Sequence, residues 1–412
     1  MPLYPSSNKI INDPVYGLIP MPGGLAADVL NHPWFQRLRN IKQLGLTHYV
    51  YPGALHTRFQ HTLGSVFLTQ QAIDVLESKN VDITPHEAES VILAILLHDI
   101  GHGPMSHALE YVLVQGQSHE DISKLIFKAL NQQFDGRLST ALDIFTNNYP
   151  KKFLHQLVSS QLDTDRLDYL IRDSFYTGVS EGVVSTDRII KMLNVAEDRL
   201  VVDQKGIYSI EKFLIARRLM YWQVYLHKTV ISAEQMLRNL IHRARFLIEN
   251  HEHLFAPDPL IAILKQRDSL SQETLKHYLA LDDNDLMSVI KVWSHHSDFI
   301  LRFLSEGLQN RKLFRVKLSK RPFEPDLVEQ IRQKVREEFS LSDTEVNYLV
   351  QTDVLSNSAY KPLDDQIMIL RKNGEVANIL DESDMFNHEV MSKPVLKHYL
   401  CFPKQFDNPK FF

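Results

Sequence analysis

The stretch Val91-Ile-Leu-Ala-Ile-Leu-Leu-His98-Asp99-Ile-Gly-His102-Gly-Pro104 constrains this chain more than any other. Seven apolar residues lead directly into an adjacent imidazole and carboxylate, and a Gly-x-Gly-Pro break follows. The run is far short of the roughly 20 residues needed to span a bilayer. It reads as a buried helix that ends by delivering His98 and Asp99 side by side. A buried carboxylate is costly unless it is paired or coordinates a metal. Upstream, His56-Thr-Arg58-Phe-Gln-His61 offers a further imidazole; downstream, Asp163-Thr-Asp165-Arg166-Leu-Asp168-Tyr169 offers carboxylates. Such a mixed set suits a divalent cation. Among 19 histidines close pairs arise by chance, and a lone histidine on an apolar face is more often core than ligand. The His98-Asp99 pair at the exit of an apolar helix is stronger evidence than any lone histidine. Spacing alone does not bring positions 61, 98, 99 and 165 together.

Composition removes several classes of function. A net charge of −5 gives no support for a general nucleic-acid or anionic-membrane surface, so any anion site must be a local pocket of Arg, Lys and metal. With 44% hydrophobic and 23% charged residues over 412 positions, the chain can bury a large core in one or two domains. Its single cysteine, Cys401, excludes an intrachain disulfide and fits a reducing compartment. Met1-Pro-Leu-Tyr-Pro lacks a basic start followed by an apolar stretch, so a cytoplasmic location is expected.

The periodicity predicts a mainly α fold. From Asn12 to about Ile190 the pattern is mostly helical. A helix follows His61 through Leu63, Val66, Phe67, Gln70 and Ile73. The next covers 86–98, with Thr84 as N-cap, Pro85 at the first helical position and Glu87 completing the cap. Others run through Ile122–Ala129, Leu154–Val158 and Asp163–Asp173. A hairpin turning around Asp203-Gln-Lys-Gly206 is expected within Arg199–Ile210. Helical rhythm resumes from Ile210 to about His251, and strands are expected at Phe314–Leu318, Asn347–Val350, Ile367–Leu370 and Leu396–Leu400. The domain reading is a helical core over 1–255, with the metal motifs at about 50–175, and a smaller α+β lobe over 256–412 involved in oligomer or regulatory contacts.

Several segments occur in the order of a known family. They are Lys9-Ile-Ile-Asn-Asp-Pro-Val-Tyr-Gly17, Phe35-Gln-Arg-Leu-Arg-Asn-Ile-Lys-Gln-Leu-Gly45, Tyr51-Pro-Gly-Ala-Leu-His-Thr-Arg-Phe-Gln-His61 and His98-Asp-Ile-Gly-His-Gly-Pro104. Further matches fall at Asp165–Asp173, Tyr225-Leu-His-Lys228 and Arg311-Lys-Leu-Phe-Arg315. Together they resemble the HD-domain phosphohydrolases, and within them the dNTP triphosphohydrolase branch. The resemblance implies metal binding by His61, His98, Asp99 and Asp165, with the ion drawn from Mn, Fe, Mg, Zn and Ni. It implies hydrolysis between the nucleoside 5′ oxygen and the α-phosphorus, with His102, Glu110 and His119 as proton-transfer residues; Glu110 replaces the family's Asp. It assigns the triphosphate to Arg58, Arg166, Arg217 and Lys228, where paired, charge-assisted hydrogen bonds bind phosphate. His107 is assigned to the phosphate pocket wall. Gln43 and Asp173 are assigned to the 3′ hydroxyl, and Leu44, Tyr169 and Tyr225 to a wall that excludes a ribose 2′ hydroxyl.

The resemblance also implies a homo-oligomer, dimer or tetramer, with a nucleotide activator held by Lys9, Gln36, Arg39, Arg188, Arg311 and Arg315. Asn31 stands where the family reads guanine with an Asp. A carboxylate accepts from both guanine N–H groups, whereas an amide offers one acceptor, so GTP is expected to stimulate little. Two other readings are a hydrolase for another phosphoester and a catalytically silent nucleotide sensor. No membrane partner is expected, and a nucleic-acid partner finds no support in the charge pattern.

Overall fold

Sequence-local chemistry places the apolar run as expected. Thr84 accepts from the Glu87 amide at 3.2 Å while the Glu87 carboxylate accepts from the Thr84 amide at 2.8 Å, and Pro85 opens a helix that runs Pro85–Leu97. All seven residues Val91–Leu97 are buried. The computed structural model describes residues 6–357, 360, 366–385 and 395–408. Around this central helix pack the Arg58–Ser78, Ser139–Phe145 and Lys152–Val158 helices, with Thr164–Thr177 lying along Arg58–Ser78. The fold is mainly helical, with small sheets set around the helical core.

Three expectations change. The N-terminal segment is not helical: Ser6–Asp13 and Gly17–Pro22 form an antiparallel pair. Asp13 Oδ1 accepts from the Val15 and Tyr16 amides, closing the turn locally, and Gly17 adopts φ +76°. The central hairpin pairs Leu193–Ala196 with Arg199–Asp203, so its turn is Glu197-Asp198, both left-handed, rather than Asp203–Gly206. Gly206 instead opens the Ile207–Met220 helix, where a Cβ would lie 2.6 Å from Val202 Cγ1. Asn347–Val350 is a short 3-10 turn, Val346–Tyr348, before the strand Gln351–Asn357.

The expected strands at 314–318, 367–370 and 396–400 appear as Arg315–Ser319, Met368–Leu370 and Val395–Phe402. Val395–Phe402 is flanked antiparallel by Arg315–Ser319 and Gln351–Asn357. Met368–Leu370 adds in parallel to Arg199–Asp203, so a sheet begun before residue 255 is completed after it. The helical stretch from Ile207 loosens into a π-turn, Tyr221–Tyr225, and restarts as Lys228–Glu249 behind the N-cap His227. Cys401 is buried and free. Among the described residues no helix is long and apolar enough to cross a membrane.

Candidate metal centre and active site

Each predicted ligand is positioned by the end of a helix. Thr57 and Gln60 form a capping box that starts Arg58–Ser78, placing His61 in its first turn. His98 and Asp99 follow the last turn of Pro85–Leu97. Asp163 caps Thr164–Thr177, accepting from the Arg166 amide at 2.7 Å, which sets Asp165 in the first turn. Ligand atoms of His61, His98 and Asp99 lie within 4.8 Å of one another. Asp165 Oδ1 approaches to 3.0 Å from His61 Nε2 and 3.6 Å from His98 Nε2. Both Nε2 atoms are buried without a hydrogen-bond partner. Buried polar atoms are rarely left so, and two orphaned imidazole nitrogens facing two carboxylates fit a divalent cation.

The supporting shell matches that role. His61 Nδ1 is 2.7 Å from Asp168 Oδ2, and His98 Nδ1 is 2.6 Å from the Ile95 carbonyl, so both Nε2 atoms are left as lone-pair donors. Asp168 in turn accepts from Arg172 at 2.9 Å and 3.0 Å, and Arg172 donates to Asp13 at 2.7 Å. A Cβ on Gly64 would run into the Asp168 carboxylate and the Arg172 guanidinium. Burial opposes charge on His61, but the neighbouring carboxylates of Asp165 and Asp168 outweigh it and, with no cation bound, push the imidazole up to about 10. Burial likewise raises Asp165, yet His61 and His98 hold it well below the usual carboxylate range. The carboxylates of Asp99, Asp165 and Asp168 set around His61 make this an anionic pocket suited to a cation.

Beside this centre stand four further titrating groups. His102 lies with Nε2 3.4 Å from Asp99 Oδ1 and stacks on His119, ring centroids 3.9 Å apart. Glu110 does not orient His102; it accepts from His119 Nδ1 at 2.5 Å and pairs with His107 Nδ1 at 2.9 Å. The longer Glu arm therefore reaches two imidazoles. Those two partners carry it far below its ordinary value in spite of burial. His102 is pushed down by burial and by its neighbours Arg58 and His119, which favours its neutral form. Ser118 caps the His119–Gln133 helix, so His119 also begins a helix, as its sequence context predicts.

A cavity of about 460 Å³ is lined by Gln43, Arg58, His98, Asp99, His102, His107, His119, Asp165, Arg166 and Tyr169. Arg58 is committed to protein: its guanidinium pairs with Asp99 and donates to Ser106 Oγ at 2.9 Å. Arg166 pairs with Asp163 but keeps a buried Nε without a partner. Arg217 is buried near Tyr169, with Nε and Nη1 unpartnered. Asp173 is buried and already saturated, by His56 at 2.7 Å and the Tyr225 hydroxyl at 2.7 Å. Leu44 packs against the core rather than lining the cavity.

Lys228 is not in this cavity. It starts the Lys228–Glu249 helix and lines a second cavity of about 630 Å³ with Arg311, Lys312, Arg315, Lys404 and Phe303. The other activator positions lie apart. Asn31 ends the Gly24–Asn31 helix and bonds Ala27; Gln36 bonds Leu30 and accepts from Arg39. Lys9 is on the N-terminal hairpin, and Arg188 donates to the Lys205 carbonyl. Sequence reading passed over Asp168 as the carboxylate behind His61, although its i+3 spacing from Asp165 was visible. Lys124, Asn147 and His155, which also line this cavity, carry no local signal.

Residues 58–171 match the HD domain family and residues 184–379 match the HD associated region. A protein of Bacillus subtilis named YwfO is 31% identical over 414 residues, covering 97% of this chain and 93% of that one. A crystal structure of a phosphohydrolase from Bacteroides thetaiotaomicron superposes with a TM-score of 0.92 at 50% identity, covering 96% of this chain and 99% of that one. The deoxynucleoside triphosphate triphosphohydrolase SAMHD1 homolog of Dictyostelium discoideum is 33% identical over 277 residues, covering 62% of this chain and 53% of that protein. With the His61, His98, Asp99 and Asp165 geometry in place, this chain belongs to the HD-domain phosphohydrolase family.

Proposed function

We propose that the chain hydrolyses deoxynucleoside triphosphates to deoxynucleoside and inorganic triphosphate. The observation that carries this reading is the company the metal centre keeps. Orphaned His61 and His98 nitrogens, the Glu110–His107–His119 group and the cations Arg58 and Arg166 are gathered at one centre. The likeness to a protein named as a deoxynucleoside triphosphate triphosphohydrolase supports the substrate class. His61, His98, Asp99 and Asp165 would hold the ion, which supplies Lewis-acid polarisation of a phosphate oxygen and activation of water. Two imidazoles with two carboxylates favour Mn²⁺ or Fe²⁺ over Mg²⁺.

The chain's own groups do the rest. Arg166 and Arg217 offer buried donors to a polyphosphate. Glu110 orients His107 and His119 through their Nδ1 atoms, so that each Nε2 points away from the carboxylate and, when the ring is protonated, carries the proton for the departing 5′ oxygen. His102 is the neutral member between this pair and Asp99. Asp173, bonded to His56 and to the Tyr225 hydroxyl, would take the 3′ hydroxyl. The second basic cavity, with Lys228, Arg311 and Arg315, suits an anionic activator. The remaining activator positions lie in separate places, so a shared activator site needs more than one subunit, in a dimer or tetramer.

One observation favours a different phosphoester: the open cavity runs toward Lys124, Phe145 and Asn147, while Asp173 is closed by Tyr225. Product analysis separates the readings. The protein is incubated with each dNTP and rNTP plus Mn²⁺, with and without a second dNTP, and products are resolved by anion exchange. Triphosphate and deoxynucleoside from dNTPs alone support the proposal; monophosphate or diphosphate products move the chemistry to another phosphorus.

A further inference from the structure

The segment carrying His102, His107 and Glu110 is backbone-strained. Met105, Ser106 and Tyr111 adopt positive φ of 60°, 51° and 61°, conformations that side-chain-bearing residues hold only when their surroundings over-determine them. What over-determines them lies outside the HD domain match of 58–171. Asp283 Oδ1 accepts from the Met105 amide at 2.7 Å, and its other oxygen accepts from the Lys42 amide at 3.0 Å. The Lys42 carbonyl then accepts from Ser106 Oγ at 2.6 Å, and Ser106 Oγ accepts from Arg58. Tyr278 donates to the Gly101 carbonyl at 2.7 Å, and a Cβ on Gly103 would lie 2.6 Å from its hydroxyl oxygen. Arg37 donates to the His102 carbonyl at 2.7 Å, and Arg238 to the Ala108 carbonyl at 2.8 Å.

We infer that Asp283, Tyr278 and Arg37 form a clamp that positions the proton-transfer histidines, so that the HD-associated region is part of the hydrolytic apparatus. Asp283 is the centre of it: 1% exposed, it bonds the loop on one oxygen and both the amide and the ammonium of Lys42 on the other. Its neighbour Asp282 caps the Asp283–Trp293 helix, through the Asn284 amide, and makes no hydrogen bond to the 103–113 loop. Asp283→Asn can serve one of the two amides but not both, because one carboxylate oxygen becomes a donor. Asp283 itself bonds none of the proposed metal ligands.

The test compares Asp283→Asn with Asp282→Ala, which removes a helix cap without touching the loop. Bound Mn²⁺ per chain, kcat and KM for the preferred dNTP, and hydrogen exchange over 103–113 are measured on full-length protein. The clamp predicts one metal per chain in both variants. For Asp283→Asn it predicts a kcat lowered at least tenfold, a KM within threefold and exchange over 103–113 at least tenfold faster. Asp282→Ala keeps wild-type kcat and exchange. Wild-type exchange and kcat in Asp283→Asn, or equal losses in both variants, overturn it. The inference rests on the proposed hydrolysis only for its rate arm; if wild type turns over no dNTP, the proposed reaction fails and the exchange arm alone decides the clamp.

Discussion

Replacing Asp168 with Asn tests whether His61 is a tuned ligand or a core histidine. In the folded chain His61 Nδ1 and Asp168 Oδ2 are 2.7 Å apart, and Arg172 donates to both Asp168 oxygens. An amide oxygen in the Oδ2 position still accepts from His61 and Arg172 Nε but turns an N–H toward Arg172 Nη2, and the flipped amide takes the oxygen from His61; in both, the negative charge behind His61 is lost. Loss of such an outer carboxylate weakens metal binding roughly 10–100-fold, about 1.4–2.7 kcal/mol. Stability falls as well, because one partner of a buried ion pair is lost. Asp13 still holds Arg172 at 2.7 Å, which keeps that loss near the low end, about 2–3 kcal/mol. Asp13→Asn provides the comparison: it removes one of the two carboxylates that pair with Arg172 and leaves His61 untouched. Mn²⁺ affinity from competition with a fluorescent chelator, alongside urea melts of the metal-free proteins, separates the two effects. Asp168→Asn should lower both; Asp13→Asn should lower stability and leave the Mn²⁺ Kd within twofold. An Asp168→Asn Kd equal to wild type would refute the argument, since it would mean that His61 does not bind the ion through Nε2.

Other outcomes follow from the same geometry. His98→Ala and Asp165→Ala should each lose the metal by elemental analysis and all turnover, whereas His102→Ala keeps the metal and loses most of its rate; full activity in His102→Ala would move proton transfer wholly to His107 and His119. GTP should raise the dNTP hydrolysis rate by less than twofold, because Asn31 offers one acceptor and is exposed at a helix end; a large GTP-dependent rise contradicts that. Asp298, which caps Phe299–Gln309 and pairs with Arg243 at 3.1 Å, sits below its ordinary value: burial opposes the shift, but Arg243 and the Leu301 amide prevail. A depressed carboxylate stabilises above its unfolded pKa, near 4, and its contribution is lost as pH falls through the folded value. Asp298→Asn should therefore cost about 2 kcal/mol at pH 7 and progressively less toward pH 2.5, read from urea midpoints along a pH series.

The parts of the site legible in the sequence are those whose chemistry is local. Thr84-Pro85-x-Glu87 announces a helix start, seven apolar residues announce a buried helix, and His98-Asp99 sits where that helix ends. The convergence of His61 and Asp165 on that pair came from resemblance, because no periodicity fixes how three helices pack. The hairpin was displaced by several residues because Gly206 looked like a turn glycine, whereas it is small to admit Val202 and Met192. The N-terminal strands were passed over because the apolar residues Ile10, Ile11, Leu18 and Ile19 alternate too briefly to stand against a helical reading. Asp283 and Tyr278 were invisible for a different reason. Each acts on the backbone of a loop 177 or 178 residues away in sequence, and a side chain bonded to a distant carbonyl or amide leaves no mark in its own neighbourhood. Lys228, assigned to the substrate by resemblance, follows the His227 cap at a helix start and lines the second cavity.

Hydrolysis of a dNTP in ¹⁸O-labelled water tests the central proposal most directly. Water attack at the α-phosphorus, with the 5′ oxygen leaving, places the label in inorganic triphosphate and none in the deoxynucleoside, and mass spectrometry of both products reads this in one experiment. Label in the deoxynucleoside, or in orthophosphate or pyrophosphate released with a deoxynucleotide, would contradict the account.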